Sequence, residues 1–230
     1  TMPKDGTALG MLAQSLPFDA ALGYTKDVDA RAFVWLGRVA MNVEAGVAHK
    51  LAGLTGANDL RTRDVAIGGT GGTASSTVIP YLLNKLAGTR FKLISGYKSA
   101  NEVMLAMERR EVDMVGATGV STLLAKHEHQ LNEGTLRVIY QNAQVRHPLL
   151  PHVPTIGELA ANPESRQILD LFASGAAVGR SLVAAAGIPV DRAETLRRAL
   201  AATFADPEFV ATAKAQNLML ETGGASEITN

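Results

Sequence analysis

Asp64–Tyr81, DVAIGGTGGTASSTVIPY, is the stretch that decides the fold. Val65-Ala66-Ile67 is a short apolar run and predicts a buried strand. Gly68–Thr73 follows as a loop with four glycines in six residues. Ala74 to Leu86 then places Val78, Leu82, Leu83 and Leu86 at the spacing of one helix face. A strand, a glycine loop and a helix in that order aim unpaired backbone N–H groups at one point. The first N–H groups of a helix have no acceptor in the helix, and the macrodipole adds partial positive charge there. Glycine lets a ligand approach the backbone closely, because no Cβ intervenes. Thr70, Thr73, Ser75 and Ser76 add hydroxyls. The stretch therefore reads as an anion seat, with a carboxylate as the expected guest.

Three other readings compete. Gly69-Thr70-Gly71-Gly72-Thr73-Ala74 fits the dinucleotide pattern G-x-G-x-x-A. That pattern wants an acid about 20 residues on, at the end of the next strand. Here the next strand ends Ser95-Gly96-Tyr97-Lys98, without one. A phosphate-binding loop needs Gly-Lys-Ser/Thr after its glycines, and no lysine is present. The last alternative is a glycine-rich turn with no ligand.

Working outward, the pattern stays regular. Strands are expected over 65–68, 91–95, 112–116 and 136–141, with helices between them. Ser99-Ala100-Asn101-Glu102 and Thr155-Ile156-Gly157-Glu158 read as capping boxes. Asp206-Pro207 supplies a cap and a first helical residue. Asp191-Arg192-Ala193-Glu194 should open another helix. Alternating strands and helices predict a parallel sheet with right-handed crossovers. Its ligand edge would collect the loops at 68–73, 96–99 and 116–119, the last with Ala117 and Thr118. Nearer the start, Thr7–Leu12 predicts a strand whose end would present Gln14 and Ser15. Phe33–Val47 allows one or two more strands. Ile168–Ala177 predicts a strand crossing back to the first lobe, and Met219–Thr222 a final one.

The totals narrow the function. Net charge is zero, from 22 basic and 22 acidic residues, which argues against a nucleic-acid or anionic-membrane binder. Aromatic residues are only 5%, too few for base-stacking platforms. The chain has no cysteine, so disulfides, thiolate metal sites and cysteine nucleophiles are excluded. No apolar run approaches about 18 residues, so nothing is expected to span a membrane. The opening TMPKDGT is not a signal peptide. His127-Glu128-His129 has two histidines at alternate positions, which do not share a helix face. His147 and His152 flank prolines, and no Gly-x-Ser-x-Gly elbow is present. Asp113 at a strand start suits a structural role. With no nucleophile–base pair, paired acids or ligand cluster, binding is expected rather than turnover, without metal or cofactor.

Several segments together resemble one family. They are Pro3-Lys4-Asp5-Gly6-Thr7, Leu16-Pro17-Phe18-Asp19, Gly69 to Ser75, Gly96-Tyr97-Lys98-Ser99 and Arg109-Arg110-Glu111-Val112-Asp113. Arg146 with Pro151-His152-Val153-Pro154-Thr155-Ile156-Gly157-Glu158, and Ala186-Gly187-Ile188-Pro189, complete the set. In this order they look like the periplasmic solute-binding proteins of tripartite tricarboxylate transporters, often called Bug proteins. The resemblance implies an α/β, two-lobe, periplasmic-binding-protein-like (type II) fold that closes on a ligand. The first lobe would span 1–63 and 176–230, truncated at its N-terminus, and the second 64–175. The family's proline- and glycine-rich unit before the Pro-Asp-Gly segment is not in this sequence, and a signal peptide would precede that unit. The implied protein is periplasmic and non-enzymatic. It captures a small organic carboxylate for a membrane transporter or a sensor, and has no nucleic-acid partner. Ligand contacts would fall at Gln14, Ser15, Thr70, Gly71, Gly72, Thr73, Ala74, Ser75, Ala117 and Thr118. A family histidine after the glycine–serine pair is absent here, where Gly72-Thr73 stands. The alternative is an α/β enzyme binding a dinucleotide at Gly69–Ala74.

Overall fold

A computed structural model describes residues 3–12, 14–16, 23, 29–216 and 218–229. Pro17, Phe18 and Asp19 of the Leu16–Asp19 motif lie outside the described residues. The strands are β1 (Leu9–Leu12), β2 (Val34–Ala40), β3 (Glu44–His49), β4 (Val65–Gly69) and β5 (Phe91–Ser95). They continue with β6 (Met114–Gly119), β7 (Leu136–Asn142), β8 (Arg180–Ala184) and β9 (Gly223–Gly224). The chain divides into two units. Unit 1 is Thr1–Asn42 with Gly175–Asn230, and unit 2 is Val43–Ser174.

Unit 2 carries a five-stranded sheet ordered β5-β4-β6-β3-β7. β4 pairs parallel with β5 and with β6, as the alternating pattern required. β3 lies between β6 and β7 and runs antiparallel to both. Four of the five strands therefore point the same way, and their C-terminal ends share one edge. Two glycines of β4 seat helices on opposite faces. A Cβ on Gly68 would collide with Val103 of the Ala100–Glu108 helix. One on Gly69 would meet Thr77 Oγ1 at 2.5 Å, in the Ser75–Leu86 helix. Behind that second helix, Ile67, Ile79, Leu83, Ile139 and Leu169 are all buried to within 1% of full. Each such side chain contributes about 1.5–3 kcal/mol.

Unit 1 has a four-stranded sheet, β1-β8-β2-β9, in which every pair is antiparallel. The Val190–Ala205 helix covers it around Leu36, Ala184, Ile188 and Ala193. The buried Arg38 of β2 donates to the carbonyls of Ala177 and Glu221, fixing the later chain to this sheet.

The structure corrects several expectations. The first boundary, expected at 63/64, lies at 42/43, because β3 hydrogen-bonds to β6 and β7 and carries 43–63 into unit 2. Ile168–Ala177 is no strand. Asn162 caps a helix over Pro163–Ala173, with Pro163 in its first turn, and a short helix Gly175–Val178 follows. Leu169, Phe172 and Ala173 form its inner face at helical spacing. The strand of that region is β8. The helix expected from Asp191 starts at Val190, with Pro189 as its cap residue and no side-chain cap. Met219–Thr222 is irregular, and the last strand is the short β9.

Candidate functional site

The site is best built from the turn between β4 and the Ser75–Leu86 helix. Ala74 occupies the cap position with extended φ/ψ (−70°, 145°) and contributes no side-chain cap. Alanine has no oxygen with which to close the first turn. Among the described residues, the N–H groups of Gly71, Gly72, Thr73, Ser75 and Ser76 meet no protein acceptor. The Ala74 N–H is taken by the Gly71 carbonyl at 3.2 Å. Thr70 also differs from its expected role. Its N–H donates to Ser76 Oγ at 3.0 Å, and its hydroxyl lies 2.9 Å from the same atom. The Thr70 backbone donor is therefore spent on holding the loop, and buried Ser76 is the residue that holds it.

The glycines fall into two classes. A Cβ on Gly71 or Gly72 would meet nothing within 4 Å, and neither residue has positive φ. Neither packing nor turn geometry demands glycine there, which leaves open approach to the backbone as their physical consequence. Gly116 is the opposite case. A Cβ there would collide with the Ser76 carbonyl, so the first turn of the helix rests directly on β6. Tyr140 braces the same point from β7. It is fully buried, its ring fills the room left by Gly46 of β3, and its hydroxyl donates to the Gly116 carbonyl at 2.6 Å. Burial, with the Glu44 carboxylate nearby, pushes the Tyr140 hydroxyl far above its ordinary range, so it stays a donor.

Other expected contacts are placed as follows. Gly72 and Thr73 are exposed, and Gly71, Ala74 and Ser75 are half-buried, all in the one turn. Ala117 and Thr118 belong to β6 itself rather than to a loop, with Thr118 paired to Ala45. Ala117 is 7% exposed and part of the core, so its side chain faces hydrophobic neighbours. Gln14 and Ser15 lie in a turn after β1 in unit 1, half-buried and exposed respectively. Because β1 sits in an antiparallel sheet, the parallel-sheet rule that singled out its end does not apply there. Asp113 is structural. Its carboxylate accepts from the Ala66 N–H at 2.8 Å and ties β6 to the start of β4. Among the described residues no group of three or more acids and histidines is placed to hold a metal.

At the two neighbouring strand ends, side chains or a facing strand take up some of the donors. After β5, Ser99 caps the Ala100–Glu108 helix by accepting from the Glu102 N–H, while Glu102 accepts from the Lys98 N–H at 2.6 Å. After β6, the Val120 N–H is taken by the Val43 carbonyl. β5 ends at exposed Ser95, with no acidic residue from there to Lys98 to hold a ribose.

No protein-family model matches the sequence, and no curated protein matches it. Solved structures do. A TctC solute binding protein from Polaromonas aligns over 98% of this chain and 73% of its own, at 16% identity and a TM-score of 0.75. Rpa4515 of R. palustris with adipate aligns over 99% and 73%, at 17% identity and 0.61. MatC from Rhodopseudomonas palustris with bound malate aligns over 90% and 68%, at 19% identity and 0.55. No helix among the described residues is long and apolar enough to cross a membrane. The motif resemblance and the three-dimensional likeness thus converge on one architecture: this chain has the α/β fold of the type II periplasmic solute-binding proteins, with a separate sheet in each unit.

Proposed function

We propose that the protein is a periplasmic solute-binding protein that captures a small organic carboxylate and does no chemistry on it. One observation carries this reading. The helix after β4 starts without a side-chain cap, and five N–H groups around Gly71–Ser76 have no protein acceptor among the described residues. Carboxylate oxygens are the natural complement of such donors, and the helix dipole adds to the attraction. The fold supports it, since two solved proteins of the same fold carry adipate and malate. Gln14 and Ser15 are proposed as further contacts. Delivery to a membrane transporter or a sensor is part of the proposal, and no nucleic acid takes part.

The test is a thermal-shift and calorimetry screen against mono-, di- and tricarboxylates. A ligand at about 100 times its Kd should stabilise the protein by about 2.7 kcal/mol. Thr73→Glu places a fixed carboxylate at the donors and should abolish that shift while the fold remains intact. Binding unchanged by Thr73→Glu overturns the site. Stabilisation by a nicotinamide nucleotide and by no carboxylate overturns the function.

A further inference from the structure

One edge of the unit 2 sheet is open, and the open part has a defined extent. β5 is the outermost strand and pairs with β4. In a parallel ladder, alternate residues turn their main-chain groups to the neighbouring strand. The Val65 N–H takes the Arg90 carbonyl, so Arg90, Lys92 and Ile94 turn theirs to β4. Phe91, Leu93 and Ser95 turn theirs outward. At Phe91 the Asn84 side-chain amide closes the edge, accepting from the Phe91 N–H and donating to its carbonyl, each at 2.9 Å. At Leu93 and Ser95 no protein group does so among the described residues. Gly96, at φ +113°, then ends the strand. The open strip is therefore the N–H and C=O groups of Leu93 and Ser95. Leu93 and Ile94, 41% and 40% exposed, flank it on opposite faces. An open strand edge is a template for another strand.

We propose that this strip pairs with the same strip of a second copy, antiparallel about a two-fold axis at Ile94, to form a weak homodimer. The pairing needs no ligand and is independent of the carboxylate reading of the β4 turn. Its register is forced. Setting Leu93 against the partner's Leu93 would put Ser95 on the partner's Phe91, which Asn84 already occupies. Setting Ser95 against the partner's Ser95 would call on Tyr97, which lies past the turn at Gly96. What remains is Leu93 bonded to the partner's Ser95, and Ser95 to the partner's Leu93. Ile94 then faces the partner's Ile94 as a non-hydrogen-bonded pair, where side chains approach most closely. Lys92 falls opposite the partner's Gly96, so the two lysines stay apart. Lys92 and Ile94 lie on the sheet face of the Ala100–Glu108 helix, because their register partners are Ala66 and Gly68, and Gly68 packs on Val103. The Glu102 carboxylate of that helix sits at the Lys98 N–H, just past Gly96. Gly96 has no side chain to block the way, so each exposed Lys92 ammonium reaches toward the partner's Glu102. The opposite edge of the sheet is occupied at Gln141 of β7, whose N–H and carbonyl are bonded to Pro154 and Ile156. The assembly therefore closes at the dimer instead of growing into a fibre. A strip this short gives an interface below about 1,200 Å², which makes the dimer concentration-dependent.

Sedimentation velocity on the native chain tests this. Between about 10 μM and about 1 mM the monomer should give way to a dimer. Ser95→Pro removes an outward N–H that β4 does not use, and should leave a folded monomer throughout that range. A second measurement keeps the test decisive if that variant fails to fold. The native chain has no cysteine, so a single introduced one reports the register. Ile94→Cys should cross-link to its own copy under mild oxidation, because the paired Cα atoms lie about 4.5 Å apart. Leu93→Cys is diagonal to its copy at about 7–8 Å, and should cross-link at least about tenfold more slowly. A native chain that stays monomeric at about 1 mM overturns the proposal. Equal cross-linking of the two cysteine variants overturns it as well, as does a dimer that survives Ser95→Pro.

Discussion

Two helices of unit 2 start at the same sheet edge, on opposite faces of the sheet, and their first turns differ in whether a side chain caps them. The Ala100–Glu108 helix has Ser99 at its cap, and the Ser99 hydroxyl and Glu102 carboxylate take up N–H groups on both sides of the turn. The Ser75–Leu86 helix has Ala74 there, with no side-chain cap, and among the described residues the Ser75 and Ser76 N–H groups meet no acceptor, the Thr77 N–H being taken by the Ala74 carbonyl. The serine that could have served its start, Ser76, is turned back to Thr70. A capped start stabilises the fold locally, whereas an uncapped start held rigidly keeps positive potential for something else. The difference teaches where a fold gives up stability for binding. It also explains why the rigidity must come from outside the turn, through Tyr140, Gly116 and the Ser76 carbonyl.

The largest effect should come from breaking that support. Gly116→Ala drives a Cβ into the Ser76 carbonyl, a backbone atom that cannot swing away. Destabilisation of about 3 kcal/mol is expected in chemical denaturation. Gly72→Ala adds the same methyl where nothing lies within 4 Å, and stability should stay within about 0.5 kcal/mol. Its effect should appear in ligand affinity instead. Equal destabilisation by the two substitutions would erase the distinction between supporting and presenting glycines. Tyr140→Phe is milder. It leaves the Gly116 carbonyl buried without its donor, at a cost of about 1–3 kcal/mol, and should loosen the β4 turn as seen by faster amide exchange at Ser76 and Thr77.

Much of this was legible in the sequence, for a local reason. Strand β4, its glycine loop and the following helix are encoded by contiguous residues, and so are the caps Ser99, Thr155 and Asp206. The structure bears those out, with Asp206 accepting from the Glu208 and Phe209 N–H groups. What failed was non-local. Nothing in Glu44–His49 says which sheet that strand joins, yet its insertion between β6 and β7 moves a unit boundary by 21 residues, from 63 to 42. The run at 168–177 is short, apolar and rich in small residues, a composition that strand and buried helix share. Ser76 was visible as a hydroxyl but not as the partner of Thr70 six residues earlier.

A sharper form of the comparison exchanges the two starts. Ser99→Ala removes a cap and should cost about 1 kcal/mol while leaving carboxylate affinity unchanged. Ala74→Asp adds one, since position 74 already has the extended backbone of a cap residue. It should stabilise the protein by about 0.5–1 kcal/mol and weaken carboxylate binding, because the new side chain takes the donors and repels the anion. Thermal denaturation with and without ligand reads both effects. A gain of stability with affinity retained would mean that the ligand uses other donors.

The smallest effect concerns the short 3-10 helix Gly157–Leu159 of unit 2, where Glu158, bonded reciprocally to Thr155, is itself ion-paired. Glu158 accepts from the Thr155 N–H at 2.7 Å and lies 2.9 Å from Arg146. The Arg146 guanidinium first, and the Thr155 N–H with it, hold its carboxyl below the ordinary value of 4.5, against the opposing effect of partial burial. A depressed folded-state pKa gives stability that is present in full above the unfolded value and lost as pH falls through the folded one. Both side chains of the pair are a third or more exposed, so solvent screening limits the ion pair to about 0.5 kcal/mol. Glu158→Gln should therefore be less stable than the native chain by about that amount at pH 7. The gap should begin to close below about pH 4.5 and vanish in stronger acid, whereas at the uncapped Ser75 start there is no such carboxylate to titrate. Stability curves for the two proteins that stay parallel down to pH 3 would show that the Glu158 charge does not hold this turn, and would leave the uncharged hydrogen bonds of Thr155 to do so.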